Sequence, residues 1–299
     1  MRLTILSRSK TIPSTRRMVE AARERGHQVS VINPVKVELH LGPRGAALSY
    51  QRKPLPLPDV AIPRVAHSVA SYGLAVVDQL QLLGTHLMNG ARAIGRARSS
   101  VRCLQRLIAA GVPVPATVMA RDAKDLKQMV SLVGGVPVLV KLLVGHERRG
   151  VMVCETLTSL KAALEAVIGL GHNLVLQEYV RARSTDVRVL VVGGQALAAV
   201  RRQPRTGTLR RSLFTGARLE AVELTPAFRS AAEKAARVSE LEVCAVDMLD
   251  ADAGPKVFEV NPSPALPEME QATGVDLAGA IITRAEALFE GKAKAVAHG

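Results

Sequence analysis

FEVNPSP at Phe258–Pro264, with VDML at Val246–Leu249 just before it, sets charged and amide side chains into runs that are otherwise apolar. Each run has the hydrophobic character of a buried strand, and the two can lie side by side. Side chains alternate across a strand, so Glu259 and Asn261 share one face. With Asp247 beside them, two carboxylates and an amide make an oxygen donor set suited to a hard cation such as magnesium that also holds phosphates. The competing reading is a satisfied polar pair at a sheet end.

Working outward, the run VPVLVK ends in Lys141. An ammonium in that position either snorkels from a strand end or is held over phosphate oxygens, since burying it without a partner is costly. A Gly-containing loop, Gly145 to Gly150, follows at once and joins two strands like a hairpin flap. The strand NLVLQEY closes on Gln177, Glu178 and Tyr179, with Asp186 and Arg188 soon after. A glutamate there can bond an adenine amino group or a ribose hydroxyl, and it can equally belong to an ordinary surface turn. RRQPRTGTLRR, residues 201–211, carries Arg201, Arg202, Arg205, Arg210 and Arg211 without an acidic residue. Such runs are commonly solvated faces, but this one lies between apolar strands and offers bidentate contacts to phosphates or carboxylates.

Short β-branched runs alternate with longer amphipathic stretches along most of the chain, the pattern of a mixed α/β protein. Leu3–Leu6 reads as a strand, Ser14–Arg25 as a helix stopped by Gly26, and Gln28–Ile32 as the next strand. The intervening loop SRSKTIPS lies where α/β folds place ligands. It has no glycine, which argues against a dinucleotide fingerprint and so against a nicotinamide or flavin enzyme. Leu41 to Pro58 reads as an irregular connection and Val60–Ile62 as a short strand. The arginine-rich NGARAIGRARSS marks a domain boundary near residue 90. Helices are expected at Val101–Ala110, Ala123–Leu132, Thr158–Ile168, Ala227–Leu241 and Val275–Phe289. Strands are expected at Val136–Lys141, Val151–Cys154, Leu174–Tyr179, Val187–Val192, Ala196–Arg202, Val243–Leu249 and Lys256–Val260.

Composition narrows the function. The 299 residues carry 40 Lys plus Arg against 26 Asp plus Glu, a net charge of +14 that favours an anionic partner. Hydrophobic residues make up 48%, enough for a sizeable core, so global disorder is excluded. Aromatics are only 2% with no Trp, which removes the stacking platform of a single-strand nucleic-acid reader. Cys103, Cys154 and Cys244 are isolated, fitting neither a disulfide framework nor a thiolate zinc site. The opening MRLTILSRSK has too short an apolar stretch for a signal peptide, and no run spans a bilayer. A cytoplasmic protein without membrane partners is the expectation.

In order, VPVLVK, LVLQEYV, TDVRVLVVGG, AAVRR, VDML and FEVNPSPAL resemble the ATP-grasp ligases, specifically the RimK-like family of glutamate ligases that extend a protein C-terminus. N-terminal ILSR, AARERGH and IPRVAHSVASYG resemble the same subgroup, so the likeness runs to about residue 285. It implies a pre-ATP-grasp α/β domain over residues 1–90 and two α+β lobes, residues 91–180 with the phosphate flap and residues 181–299 with the metal site. It further implies that Lys141 contacts nucleotide phosphates, that Glu178, Tyr179 and Asp186 frame adenine and ribose, and that Arg210, Arg211 and Ser212 sit beside the phosphates. Asp247, Glu259 and Asn261 would bind two magnesium or manganese ions, and Arg188 and Arg202 would stabilise the transferred phosphoryl group. In that family an acceptor carboxylate takes the ATP γ-phosphate and an incoming amine captures the acylphosphate. The partners implied are a glutamate-like amino acid and an acidic peptide or protein C-terminus, in a dimer or tetramer.

This chain departs from the family at three places. Arg98-Ser99-Ser100 replaces an Arg-Asp-Lys string, the flap reads Gly145-His146-Glu147-Arg148-Arg149-Gly150, and Arg210-Arg211-Ser212 replaces Arg-Ser-Asn. Two other readings therefore stand beside the ligase: a degenerate ATP-grasp protein that binds nucleotide without ligating, and a nucleic-acid binder, which would show steep salt dependence but lacks a reading motif.

Overall fold

A computed structural model describes residues 1–43, 45–122, 124–142, 151–168, 174–181, 186–203 and 218–297. The flap Gly145–Gly150 and the positions Arg205, Arg210, Arg211 and Ser212 lie outside them.

The chain begins as expected, with β1 (Arg2–Leu6), α1 (Pro13–Glu24) and β2 (Gln28–Ile32). β1 pairs in parallel with β2 and β6 (Val60–Pro63), and β6 pairs in parallel with β7 (His86–Leu87), giving the order β2-β1-β6-β7. Helix α2 (Ala70–Leu82) connects β6 to β7. The segment read as irregular, Leu41 to Pro58, is instead mostly a small antiparallel sheet of β3 (Val37–Gly42), β4 (Gly45–Tyr50) and β5 (Lys53–Pro54). Gln51 and Arg52 make the β4–β5 turn with φ of 52° and 63°. Positive φ at both turn residues matches strand twist in a two-residue hairpin, but glycine and asparagine ordinarily announce it. Here neither does.

The arginine-rich stretch after residue 90 is also regular. It forms α3 (Ala91–Arg98), which buries Ala93, Ile94 and Ala97, and leads into α4 (Ser100–Ala109). Next comes an antiparallel sheet of order β10-β9-β11-β8, from β8 (Thr117–Ala120), β9 (Val138–Leu142), β10 (Val151–Cys154) and β11 (Leu174–Glu178). Helices α5 (Leu126–Leu132) and α6 (Leu157–Ile168) cover it, with Val138, Val140 and Leu176 packed against Met129, Leu160 and Leu164.

The last sheet has the order β14-β13-β12-β15-β16, all antiparallel: β12 (Val187–Val192), β13 (Gln195–Gln203), β14 (Arg218–Ala221), β15 (Val243–Ala251) and β16 (Gly254–Asn261). One face packs Val189, Val246 and Val260 against Ala232, Ala235 and Ala236 of α7 (Pro226–Val238). These alanines let the helix lie close without aromatic filling. The other face joins Leu190, Val192 and Val200 to Leu3, Ile5 and Met18 of the N-terminal unit and to Ile281 and Ile282 of α9 (Leu277–Ala297), which follows α8 (Pro267–Thr273). One apolar core therefore cements the parallel sheet to the five-stranded one. No helix among the described residues is long and apolar enough to cross a membrane.

Candidate active site

On the face of the five-stranded sheet shared with the N-terminal unit, the apolar packing gives way at one end to charge. The register explains why. Arg188 of β12 stands opposite Asp247 of β15, and Asp247 opposite Glu259 of β16, so three ionisable side chains form a row across three strands. Asn261 lies two residues beyond Glu259 on the same face. On the edge side, the Arg202 N–H bonds the Asp186 carbonyl at 3.2 Å and brings that pair alongside. Alternate residues Val246 and Val260 are buried on the opposite face, which fixes the polar set where it is.

Asp247 is fully buried, and two guanidiniums hold it. Arg188 grips it bidentately, Nε to Oδ1 at 2.7 Å and Nη2 to Oδ2 at 2.8 Å. Arg202 reaches Oδ2 at 3.0 Å and also pairs with Asp186. Burial works against the Arg188 charge, but Asp247, with Glu259 and Asp186 behind it, more than reverses this and raises its pKa above the ordinary arginine value. Asp186 is shifted upward, chiefly by burial and further by Asp247, with Arg202 opposing. Two guanidiniums thus face three carboxylates, leaving one negative charge at the rim where Glu259 and Asn261 are half-buried and reachable.

A β-bulge extends this row. Asp247 pairs with Glu259 but Met248 pairs with Val257, so Phe258 is an extra residue on β16. Simple alternation puts Lys256 on the opposite face from Glu259; the bulge returns it to the same one. There Lys256 Nζ meets Glu178 of β11 at 2.6 and 2.8 Å. Glu178 also accepts the Ala116 N–H at 2.9 Å. This ion pair ties the four-stranded antiparallel sheet to the five-stranded one beside the cluster.

The structure therefore brings Asp186, Arg188, Arg202, Asp247, Glu259 and Asn261 together and links Glu178 to them through Lys256. Asp186, which the resemblance places with adenine and ribose, sits in the ion cluster. Lys141 is half-buried on β9, opposite Val151 and Val175, and alternates with the buried Val140, so it projects from the face turned away from α5 and α6. Tyr179 follows β11 directly. Sequence reasoning missed Lys256, whose face depends on the bulge, and Asn89, whose buried amide bonds both Val243 and Pro262.

Metal fit follows from donor chemistry. No group of three or more His, Cys, Asp or Glu placed for a metal occurs among the described residues, but the set here is two carboxylates and a carboxamide. All are oxygen donors on one face and in register, Glu259 and Asn261 at the rim and Asp247 beneath them with its oxygens shared with Arg188 and Arg202. They suit a hard divalent cation and not a zinc-type ion.

Residues 1–94 match the RimK pre-ATP-grasp domain and residues 97–285 the RimK-like ATP-grasp domain. A probable alpha-L-glutamate ligase 1 of Shewanella amazonensis is 39% identical over 295 residues, covering 98% of each chain. Among solved structures, the ATP-grasp ligase PsnB complexed with minimal precursor superposes with TM-score 0.76 at 21% identity, over 95% of this chain and 98% of that one. The same ligase with minimal precursor, Mg and ADP gives TM-score 0.73 at 20% identity over the same shares. The two domain matches and the sequence likeness over nearly the whole chain place this protein in the RimK-like ATP-grasp family of ligases.

Proposed function

We propose that this protein is an ATP-dependent carboxylate–amine ligase that adds glutamate or a similar amino acid to the C-terminus of an acidic peptide or protein. The observation that carries this reading is the joined set Arg188, Arg202, Asp247 and Glu259 on one sheet face. The name of the Shewanella relative and the peptide complexes of PsnB support the same substrate classes.

Mechanism follows from positions. Asp247, Glu259 and Asn261 would hold one or two magnesium or manganese ions, and Lys141, Glu178, Tyr179 and Asp186, with Arg210, Arg211 and Ser212, would bound the nucleotide. Bound ATP would supply the phosphoryl group that activates the acceptor carboxylate, with ADP leaving, and divalent cations held by these residues would neutralise its phosphates. Arg188 and Arg202 present fixed positive charge to the oxygens on which negative charge develops, and being held by carboxylates they need no reorganisation to do so. The proposed units are residues 1–90, 91–180 and 181–299.

A non-ligating nucleotide binder is the second reading, favoured by Ser100 where the family carries a lysine. The deciding experiment is ADP release from MgATP with L-glutamate, with and without an acidic peptide, against Asp247→Ala and Glu259→Ala. Release that needs both carboxylate and amine and vanishes in the variants establishes the ligase. Nucleotide binding without turnover under every pairing establishes the second reading.

A further inference from the structure

The parallel strands β1 and β6 end at Leu6 and Pro63, and Arg64 follows at once, its N–H bonded to the Leu6 carbonyl at 2.8 Å. Carboxyl ends of parallel strands are where α/β sheets place ligands. The turn beyond Asn261 docks on this same edge. Arg64 Nη2 donates to the Pro264 carbonyl at 2.8 Å, and Ser14 Oγ accepts the Leu266 N–H at 3.1 Å. Two residues separate Asn261 from Pro264, at most about 10 Å of chain from one Cα to the other. The Arg64 guanidinium therefore braces the turn that leaves β16 at Asn261, the strand that carries Glu259.

Its surroundings are cationic and poorly solvated. Burial pushes the Arg64 guanidinium down to about 10, with no carboxylate among the described residues contributing to its balance. The Pro264 carbonyl is its one side-chain hydrogen-bond partner among those residues, whereas buried charges are ordinarily paired with opposite charge. A second guanidinium, Arg98, bonds the Val65 and Ala66 carbonyls just after Arg64 and is itself lowered by burial. Ser263, one residue before the carbonyl that Arg64 holds, has a buried hydroxyl without a hydrogen-bond partner among the described residues. Bracing a turn through one neutral carbonyl does not call for a guanidinium. A planar fork with further N–H groups, a hydroxyl and a second positive charge together suit a carboxylate.

We infer that Arg64, with the Ser263 hydroxyl, binds a carboxylate of the amino-acid substrate and turns its amine toward the Arg188–Asp247–Glu259 cluster, Arg98 acting as a positioning residue. This rests on the ligase reading for the identity of the substrate. The test is calorimetric titration of L-glutamate into the full chain saturated with ADP and Mg2+. Arg64→Gln is expected to weaken L-glutamate at least tenfold and leave ADP affinity within twofold. Ser263→Ala weakens L-glutamate about threefold. Arg64→Lys, which keeps the charge and loses the fork, falls between wild type and Arg64→Gln, and it serves if the glutamine variant fails to fold. L-Glutamate bound by Arg64→Gln within twofold of wild type, or not bound by wild type, overturns the inference. The two readings fail separately. Wild type that binds L-glutamate through Arg64 yet forms no ADP with any acceptor overturns the ligase and keeps the subsite, whereas ligation with an unchanged KM for L-glutamate in Arg64→Gln does the reverse.

Discussion

At the scale of single residues, Asp247 and Glu259 face each other across two strands yet carry different burdens. Asp247 is fully buried between two guanidiniums, so removing its charge takes the bidentate partner from Arg188 and leaves Arg202 with Asp186 alone. Asp247→Asn is expected to lower unfolding free energy by about 3–5 kcal/mol, the range for breaking a buried ion pair from one side, with loss of turnover. Half-buried Glu259 sits at the rim. Glu259→Gln is expected to abolish turnover at a stability cost below about 1 kcal/mol, in the range of substitutions that leave packing intact. Urea denaturation beside ADP release separates the two, and equal stability losses would contradict this division. The cysteines behave as packing residues. Burial pushes the Cys103 thiol up to about 11 and Cys244 higher still, and all three are free and buried. A thiol reagent at pH 8 should therefore label the folded protein slowly and the urea-unfolded protein at once. Fast labelling of the native state would show that these sites open.

At the scale of elements, β16 does the most to shape the site. Its bulge at Phe258 turns Lys256 to the face of Glu259 and so lets it reach Glu178 on a different sheet. Both side chains are a quarter exposed, so the pair contributes only about 0–1 kcal/mol to stability. Under the proposed function its effect belongs to nucleotide binding. Lys256→Ala should leave the urea midpoint nearly unmoved and weaken ADP·Mg several-fold, because Glu178 loses the contact that fixes its carboxylate. An unchanged ADP affinity would remove Glu178 from the nucleotide site. The strands that carry this machinery were legible in advance: Gln28–Ile32, Val151–Cys154 and Val187–Val192 match their expected bounds, since buried strands read as apolar runs between turn residues. The β3–β5 sheet was not legible, because Gln51 and Arg52 occupy left-handed turn positions without glycine or asparagine to mark them.

At the scale of the whole molecule, α1 and α9 lock the N-terminal unit to the rest. Arg25 and His27 both hold Glu286, at 2.6 and 2.7 Å, and Arg17 bridges Glu270 and Asp276. The Arg25 hydrogen bond is the main cause that lowers the Glu286 pKa, helped by His27 and opposed by slight burial. A depressed carboxylate stabilises the fold above its unfolded pKa and loses that contribution as pH falls toward the folded value. Wild type should therefore melt above Glu286→Gln at pH 6, with the gap closing as pH drops below the ordinary glutamate pKa of about 4.3. A gap independent of pH would assign the effect to packing. The sequence by itself determined the alternating α/β elements, the aliphatic core and the oxygen donors Asp247, Glu259 and Asn261, because strand periodicity and residue chemistry are local properties. Only the tertiary structure decided that Asp186 joins the arginine cluster, that Lys256 holds Glu178, and that Arg64 meets the turn at Pro264. Those contacts depend on strand register, on one inserted residue in β16 and on the docking of units some 200 residues apart, none of which the order of residues along the chain expresses.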